Sequence, residues 1–182
     1  MNKYIYDIKD LTLTDYTHYF NNMSTLRRDK VSRLKFDENK KQTVAGEMLV
    51  KKHYGEDSVI DISNLKKPYL TNKKGEFSIS HSKNYVLVAV NDTYVGADIE
   101  VIRDVNLNII KKVCNKKEEE YVLNGIDSKE KNIRLLEIWT FKEAYFKYLG
   151  TGIKNLKSAD YFDENIKREK YICDEYIYHI VY

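Results

Sequence analysis

Proline occurs once in the 182 residues, at Pro68, tryptophan once and cysteine twice. Cys114 and Cys173 are too few for a disulfide scaffold and lack the CxxC spacing of zinc or redox sites. They read as free thiols in a reducing compartment. No apolar run approaches the roughly 20 residues needed to cross a bilayer. The opening segment, Met1-Asn2-Lys3-Tyr4-Ile5-Tyr6-Asp7, is broken by polar residues and lacks the apolar stretch of a signal peptide. A cytoplasmic location is the expectation. Strong charge of one sign is also missing. A net charge of +3, with Lys and Arg interleaved among Asp and Glu, does not argue for nucleic acid. A nucleic-acid-binding domain would need aromatics interleaved with cations on one exposed face, whereas the tyrosines here are spread through apolar runs. There is neither a low-complexity linker nor a detectable repeat. The length suits one domain with a good core, or two small lobes.

Local signals predict the elements. Lys3 to Ile8 alternates as a strand, with Tyr4, Tyr6 and Ile8 on one face. Thr14 is placed to cap a short helix through Met23, and Ser24 to open a basic helix ending near Phe36. Asp37 starts a third helix that runs to Tyr54, with Gly55 as its stop. A brief strand is expected at Asp61 to Ser63, and Pro68 holds the lysine before it extended. Strands follow at Phe77 to Ser80, Tyr85 to Val90 and Tyr94 to Val101, the last two joined by a tight turn at Asn91-Asp92. Asn115 and Glu118 have the spacing of a capping box. A long helix is expected after Ser128, through Leu149 to Gly150, then strands around Tyr161 and at Tyr176 to Val181. The order reads most simply as an α+β fold of two small lobes, with boundaries at 1–98 and 99–182.

Three segments mix apolar anchors with groups that suit phosphate or a hard metal. Asp98 and Glu100, in Gly96-Ala97-Asp98-Ile99-Glu100, are two apart on a strand and leave the same face. Paired carboxylates repel unless a cation lies between them, and Mg²⁺ takes one or two carboxylates with waters and substrate phosphates. Glu143 and Lys147, in Trp139-Thr140-Phe141-Lys142-Glu143-Ala144-Tyr145-Phe146-Lys147, are four apart on one helix face. The large apolar residues around them predict a buried helix with something charged to hold, and Lys142 points elsewhere. Ser80 and His81 lie in Phe77-Ser78-Ile79-Ser80-His81-Ser82, where His81 can donate to phosphate. Arg27 and Lys30, three apart, share a helix face ahead of Gln42-Thr43-Val44-Ala45-Gly46-Glu47. His18, His53 and His179 read as structural.

Taken in order, these motifs resemble the 4′-phosphopantetheinyl transferases, specifically the two-lobed, surfactin-synthetase-activating type. The resemblance runs from about Ser24 to Ile153, with Ala97 where a bulkier aliphatic is common and a shortened tail beyond Ile153. It implies a pseudo-dimeric fold whose first lobe binds coenzyme A and whose second holds metal and pyrophosphate. It implies that Asp98, Glu100 and Glu143 bind Mg²⁺, with Mn²⁺ as a substitute, and that Lys147 contacts the pyrophosphate. Arg27, Lys30, Thr43, Lys67, Pro68, Ser80 and His81 would line the coenzyme pocket, with Ser80 and His81 holding phosphate at the nucleotide end. The implied activity moves the phosphopantetheine arm of coenzyme A to a serine of an apo acyl or peptidyl carrier protein. Glu143, directly or through a water, is the candidate proton acceptor. The rival is a coenzyme A-binding regulatory module of the same fold with weak turnover. A monomer is expected, with neither nucleic acid nor membrane as partner. Val101 to Val113, with Val105, Leu107, Ile109 and Ile110 among Arg103, Lys111 and Lys112, is either core or a docking edge for an acidic helix.

Overall fold

A computed structural model describes residues 1–63, 67–152 and 155–182. Lys66, which precedes the Lys67-Pro68 pair, and Ile153, the far limit of the motif region, lie outside the described residues. The chain forms two compact units, Met1–Val95 and Gly96–Tyr182, each mixing helix and strand. The expected boundary at 98/99 falls three residues later, and the observed one leaves Asp98 and Glu100 in the same unit.

In the first unit, β1 (Asn2–Asp7), β4 (Glu76–Ser82) and β5 (Tyr85–Asn91) make an antiparallel sheet of order β1-β5-β4. The central strand is apolar from Val86 to Val90, where both of its faces are buried. Val86, Val88 and Val90 meet a core built from Val44, Met48 and Phe77. Three helices accompany the sheet: α1 (Leu13–Asn21), α2 (Thr25–Ser32) and α3 (Asp37–Tyr54). α3 seats closely on β4 at Gly46, where an added Cβ would stand 3.0 Å from Ile79 Cγ2. A small hairpin of β2 (Ile60–Ile62) and β3 (Pro68–Leu70) pairs Ile62 with Pro68.

The second unit is organised on one long helix. β6 (Gly96–Val101) leads to α4 (Ile110–Val113), α5 (Lys116–Leu123) and α6 (Ser128–Leu149), followed by β7 (Arg168–Ile172) and β8 (Tyr176–Val181). The sheet order is β6-β8-β7, antiparallel throughout, with α6 packed on β6 and β8. Leu135, Ile138, Phe141, Ala144 and Phe146 bury α6 almost all round. Such a helix must find partners inside for its polar residues. Lys142 is fully buried, and its Nζ donates to Glu118 Oε2 at 2.6 Å and to the carbonyls of Val113 and Leu156 at 3.0 Å. Buried Glu137 accepts from Tyr121 at 3.0 Å, from Lys170 at 2.5 Å and from the Tyr161 hydroxyl. No helix among the described residues is long and apolar enough to cross a membrane.

Several local expectations shift. Thr12, not Thr14, caps α1, because Asp15 three residues on returns a bond from its backbone N–H at 3.0 Å. α2 stops at Ser32, short of Phe36. The hairpin expected at Asn91-Asp92 does not form: β1 and β4 already occupy both edges of β5, and β6 pairs with β8 instead. Tyr161 is a buried core residue outside any strand, and the strand expected there lies at β7. Asn115 and Glu118 do form a reciprocal capping box, and Gly150 ends α6 in the left-handed region at φ 66°.

Candidate active site

An acidic cluster in the second unit is set by how closely α6 sits on β6. An added Cβ at Gly96 would stand 2.0 Å from Ala144 O and 2.2 Å from Tyr148 N. Only glycine allows that approach, which no side chain could accommodate without separating helix from strand. It seats the turn carrying Glu143 and Lys147 on the strand carrying Asp98 and Glu100. Lys147 Nζ donates to Asp98 Oδ1 at 2.7 Å and to Ala97 O at 3.1 Å. Asp98 is buried, while Arg103 meets Glu100 Oε2 at 2.6 Å.

Glu143 registers the crowding. Burial, then the Asp98 carboxylate, push its carboxyl up to about 7; Lys147 pulls the other way and Glu100 adds a smaller upward push. Carboxylates that hold one another's protons on are short of positive charge, which a hard divalent cation supplies. The donor set therefore fits Mg²⁺. Among the described residues, however, no three such side chains are already gathered as a metal cluster. Lys147 on Asp98 and Arg103 on Glu100 hold two of the carboxylates toward nearby cations. The Arg103 pairing had no signal in the sequence beyond its position three residues after Glu100. Beside this cluster, opposite Asp98 in the strand register, His179 is fully buried. Its Nδ1 lies 2.8 Å from Thr140 Oγ1, and burial, reinforced by Arg168 and Lys170, lowers its pKa to about 3. It is a neutral structural histidine, as read.

A separate basic cavity belongs to the first unit. Arg27, Lys30, Thr43, Pro68 and His81 line one cavity of about 280 Å³, together with Gln42, Ile62 and Ile79. Five of the seven first-unit candidates are thus brought together. Lys67 is not among the lining residues and pairs with Glu76 at 3.0 Å. Ser80 is buried on the face of β4 opposite to His81 and Ile79, as strand alternation requires. The two neighbours therefore do not present their side chains to the same cavity. Arg27 is held from behind: its Nε donates to Glu47 Oε2 at 2.6 Å, and Glu47 is fully buried. Burial raises the Glu47 pKa, against the pull of Arg27 and Lys51. Neither Glu47 nor Gln42 was singled out from the sequence. The closeness of Gly46 to Glu47 was the one available hint, since a helix glycine marks a tightly packed turn.

Comparison with known proteins bears on these same elements. The family model described as the 4′-phosphopantetheinyl transferase superfamily matches residues 94–177, from just before β6 into β8. The 4′-phosphopantetheinyl transferase gsp of Aneurinibacillus migulanus is 30% identical over 135 residues, 68% of this chain and 54% of that protein. The chain belongs to the 4′-phosphopantetheinyl transferase superfamily. The 4′-phosphopantetheinyl transferase Sfp of Bacillus subtilis (strain 168) is 26% identical over 82% of this chain and 70% of its own length. HetI of Nostoc sp., also named a 4′-phosphopantetheinyl transferase, is 29% identical over 75% of this chain and 65% of its own. The chain thus spans about half to two thirds of the length of these superfamily relatives.

Proposed function

We propose that this protein transfers the 4′-phosphopantetheine arm of coenzyme A to a serine of an apo carrier protein. The observation that carries the reading is the close seating of α6 on β6 at Gly96, which brings Glu143 and Lys147 against Asp98 and Glu100. Glu143, directly or through a water, is the candidate to take the serine proton. The serine Oγ bonds to the phosphorus bearing the pantetheine, its proton passes to Glu143, and the bond from that phosphorus to adenosine 3′,5′-bisphosphate breaks. Lys147 would hold pyrophosphate oxygens as charge grows on the leaving side. Asp98, Glu100 and Glu143 would hold Mg²⁺, which would supply further neutralisation of that charge.

Arg27, Lys30 and His81 in the first-unit cavity supply charge-assisted contacts to the coenzyme phosphates, the 3′-phosphate included. Thr43 and Pro68 line the same space. For the acceptor, the second unit offers a small apolar recess of about 60 Å³ lined by Val105, Ile109, Leu135, Leu136 and Trp139, with Arg103 beside it. Arg103 there suits a carrier that is acidic around its serine.

The test is to incubate the protein with coenzyme A, Mg²⁺ and a panel of apo carrier domains, and to read intact mass. One phosphopantetheine should be added to at least one carrier, more slowly at high salt, and Asp98→Ala should lose most of the turnover. Tight binding of coenzyme A with no mass shift on any carrier would replace this reading with the regulatory-module one.

A further inference from the structure

Glu47 stands behind the first-unit cavity and does not line it. It is fully buried in α3, next to Gly46, where that helix seats closely on β4. A buried carboxylate is costly unless a partner holds it. The partner is Arg27 on α2, whose Nε donates to Glu47 Oε2 at 2.6 Å. As a device for stability the pair is poor. Glu47 Oε1 has no hydrogen-bond partner among the described residues, and burial raises the Glu47 pKa against the pull of Arg27. Well-packed apolar side chains replace such a buried pair with little loss. An acid kept at this place calls for a role besides stability.

The geometry at Arg27 supplies that role. A guanidinium carries its N–H donors in one rigid plane, one on Nε and the rest on the two terminal nitrogens. Glu47 takes the Nε donor. Among the described residues Nη1 and Nη2 have no hydrogen-bond partner, yet neither is a sealed atom, so both keep open surface. Arg27 is on the cavity wall, and these terminal nitrogens are the side-chain donors it has left to present there. Pinned at Nε, the guanidinium has its plane and direction fixed, and its terminal N–H groups form an end-on fork. A fork of this kind matches two oxygens on one phosphorus. A terminal phosphate monoester offers more such oxygens, and more charge, than either phosphorus of a pyrophosphate. We propose that Glu47 is a positioning residue that, through Nε of Arg27, aims this fork at the 3′-phosphate of the coenzyme. The proposal rests on the coenzyme A reading above.

Two neutral substitutions separate aiming from charge. Glu47→Gln keeps an acceptor for Arg27 Nε and Glu47→Met removes it, while both remove the carboxylate's repulsion of phosphate. Calorimetry reads the ratio of affinities for coenzyme A and 3′-dephospho-coenzyme A. In Glu47→Gln that ratio should equal or exceed the wild-type value. In Glu47→Met it should fall by about tenfold, the scale of one charge-assisted hydrogen bond, with dephospho-coenzyme A bound as in wild type. A ratio that rises in both variants makes Glu47 a brake on anion binding, and one that falls alike in both makes it a structural prop. Either result overturns the proposal. If Glu47→Met does not fold, Arg27→Gln, which keeps a donor for Glu47, is compared with the apolar pair Arg27→Met/Glu47→Met. A residue that acts through Arg27 has no effect once the guanidinium is gone, so the two should share one ratio. A lower ratio in the apolar pair overturns the proposal. Equal affinity of the wild type for both coenzymes moves Arg27 off the 3′-phosphate and overturns it too, with the coenzyme reading left standing. No binding of either coenzyme to the wild type brings down both.

Discussion

The two units each bury an ion pair under a helix, and the pairs are finished differently. In the second unit all the groups of Lys142 and Glu118 are used. The ammonium has three acceptors, and the carboxylate accepts from Lys142, from Asn115 N at 2.7 Å and from Tyr161 N at 2.8 Å. In the first unit Arg27 meets Glu47 through Nε alone, and Glu47 Oε1 has no hydrogen-bond partner among the described residues. The saturated pair is sealed in the core, with both side chains at 0% exposure, while Arg27 borders a cavity. Saturation marks charge that serves the fold. Incomplete satisfaction marks charge kept available for a ligand, because a group already fully bonded gains nothing from one.

Breaking the saturated pair should have the largest effect. Lys142→Met leaves the Glu118 carboxylate buried without its cation, and removing one partner of a buried pair costs about 3–5 kcal/mol. Glu118 cannot escape toward solvent, since it also holds the first turn of α5 and the backbone of Tyr161. The midpoint of thermal unfolding should drop by roughly 10 °C, as followed by circular dichroism. A drop of a degree or two would mean that the pair is not the keystone of the second unit.

That contrast was invisible in the sequence. Lys116-Lys117-Glu118-Glu119-Glu120 reads as a solvated charge run, and Lys142 and Glu143 are adjacent residues of opposite charge. Only the capping-box spacing from Asn115 set Glu118 apart, and it predicted a helix start rather than a buried ion. What could be read locally was local: α3 from Asp37 to Gly55, the stop at Gly150, and the alternation of β4. The partner of β6 could not be read, because a turn signal at Asn91-Asp92 says nothing about which strand edges are already occupied. The acidic site was legible for a different reason. The two-residue spacing of Asp98 and Glu100, and the four-residue spacing of Glu143 and Lys147, fix a face whatever the tertiary partner is. The cations that hold those carboxylates, and the amide of Gln42, depend on distant packing and carry no such period.

Glu143 tests the same contrast in the second unit, with the opposite sign. Its folded pKa of about 7 lies above the ordinary 4.5, so the folded state binds more protons between those values. The favourable contribution is present below pH 4.5 and is lost as pH rises through 7. Neutral, nearly isosteric Glu143→Gln should therefore leave the metal-free protein as stable as wild type at pH 4. At pH 8 it should be more stable by about 1–2 kcal/mol, after discounting for solvent screening. Urea unfolding at the two pH values, with chelator present, measures the difference. An equal stability at pH 8 would show that the three carboxylates do not crowd one another. A variant that gains stability while losing turnover would mark Glu143 as a residue retained for chemistry at the expense of the fold.

The smallest effect on stability is expected at Glu47, and it is the one that most sharpens the comparison. Glu47→Gln keeps an acceptor for Arg27 Nε and removes a charge that burial already disfavours. Because burial outweighs the attraction of Arg27 at this carboxyl and the amide keeps the Nε hydrogen bond, the exchange should cost well below the roughly 3–5 kcal/mol expected for breaking a sealed pair. The same change at a sealed pair would cost far more. What makes the difference is the cavity beside Arg27, through which water or an anion can reach the guanidinium once its carboxylate is gone. Adenosine 3′,5′-bisphosphate should then raise the thermal midpoint of Glu47→Gln by more than it raises that of wild type, because a ligand that binds only the folded state stabilises it by mass action. A loss as large as that of Lys142→Met, with no extra gain from the bisphosphate, would make Arg27–Glu47 a second sealed pair and remove Arg27 from the groups that hold phosphate.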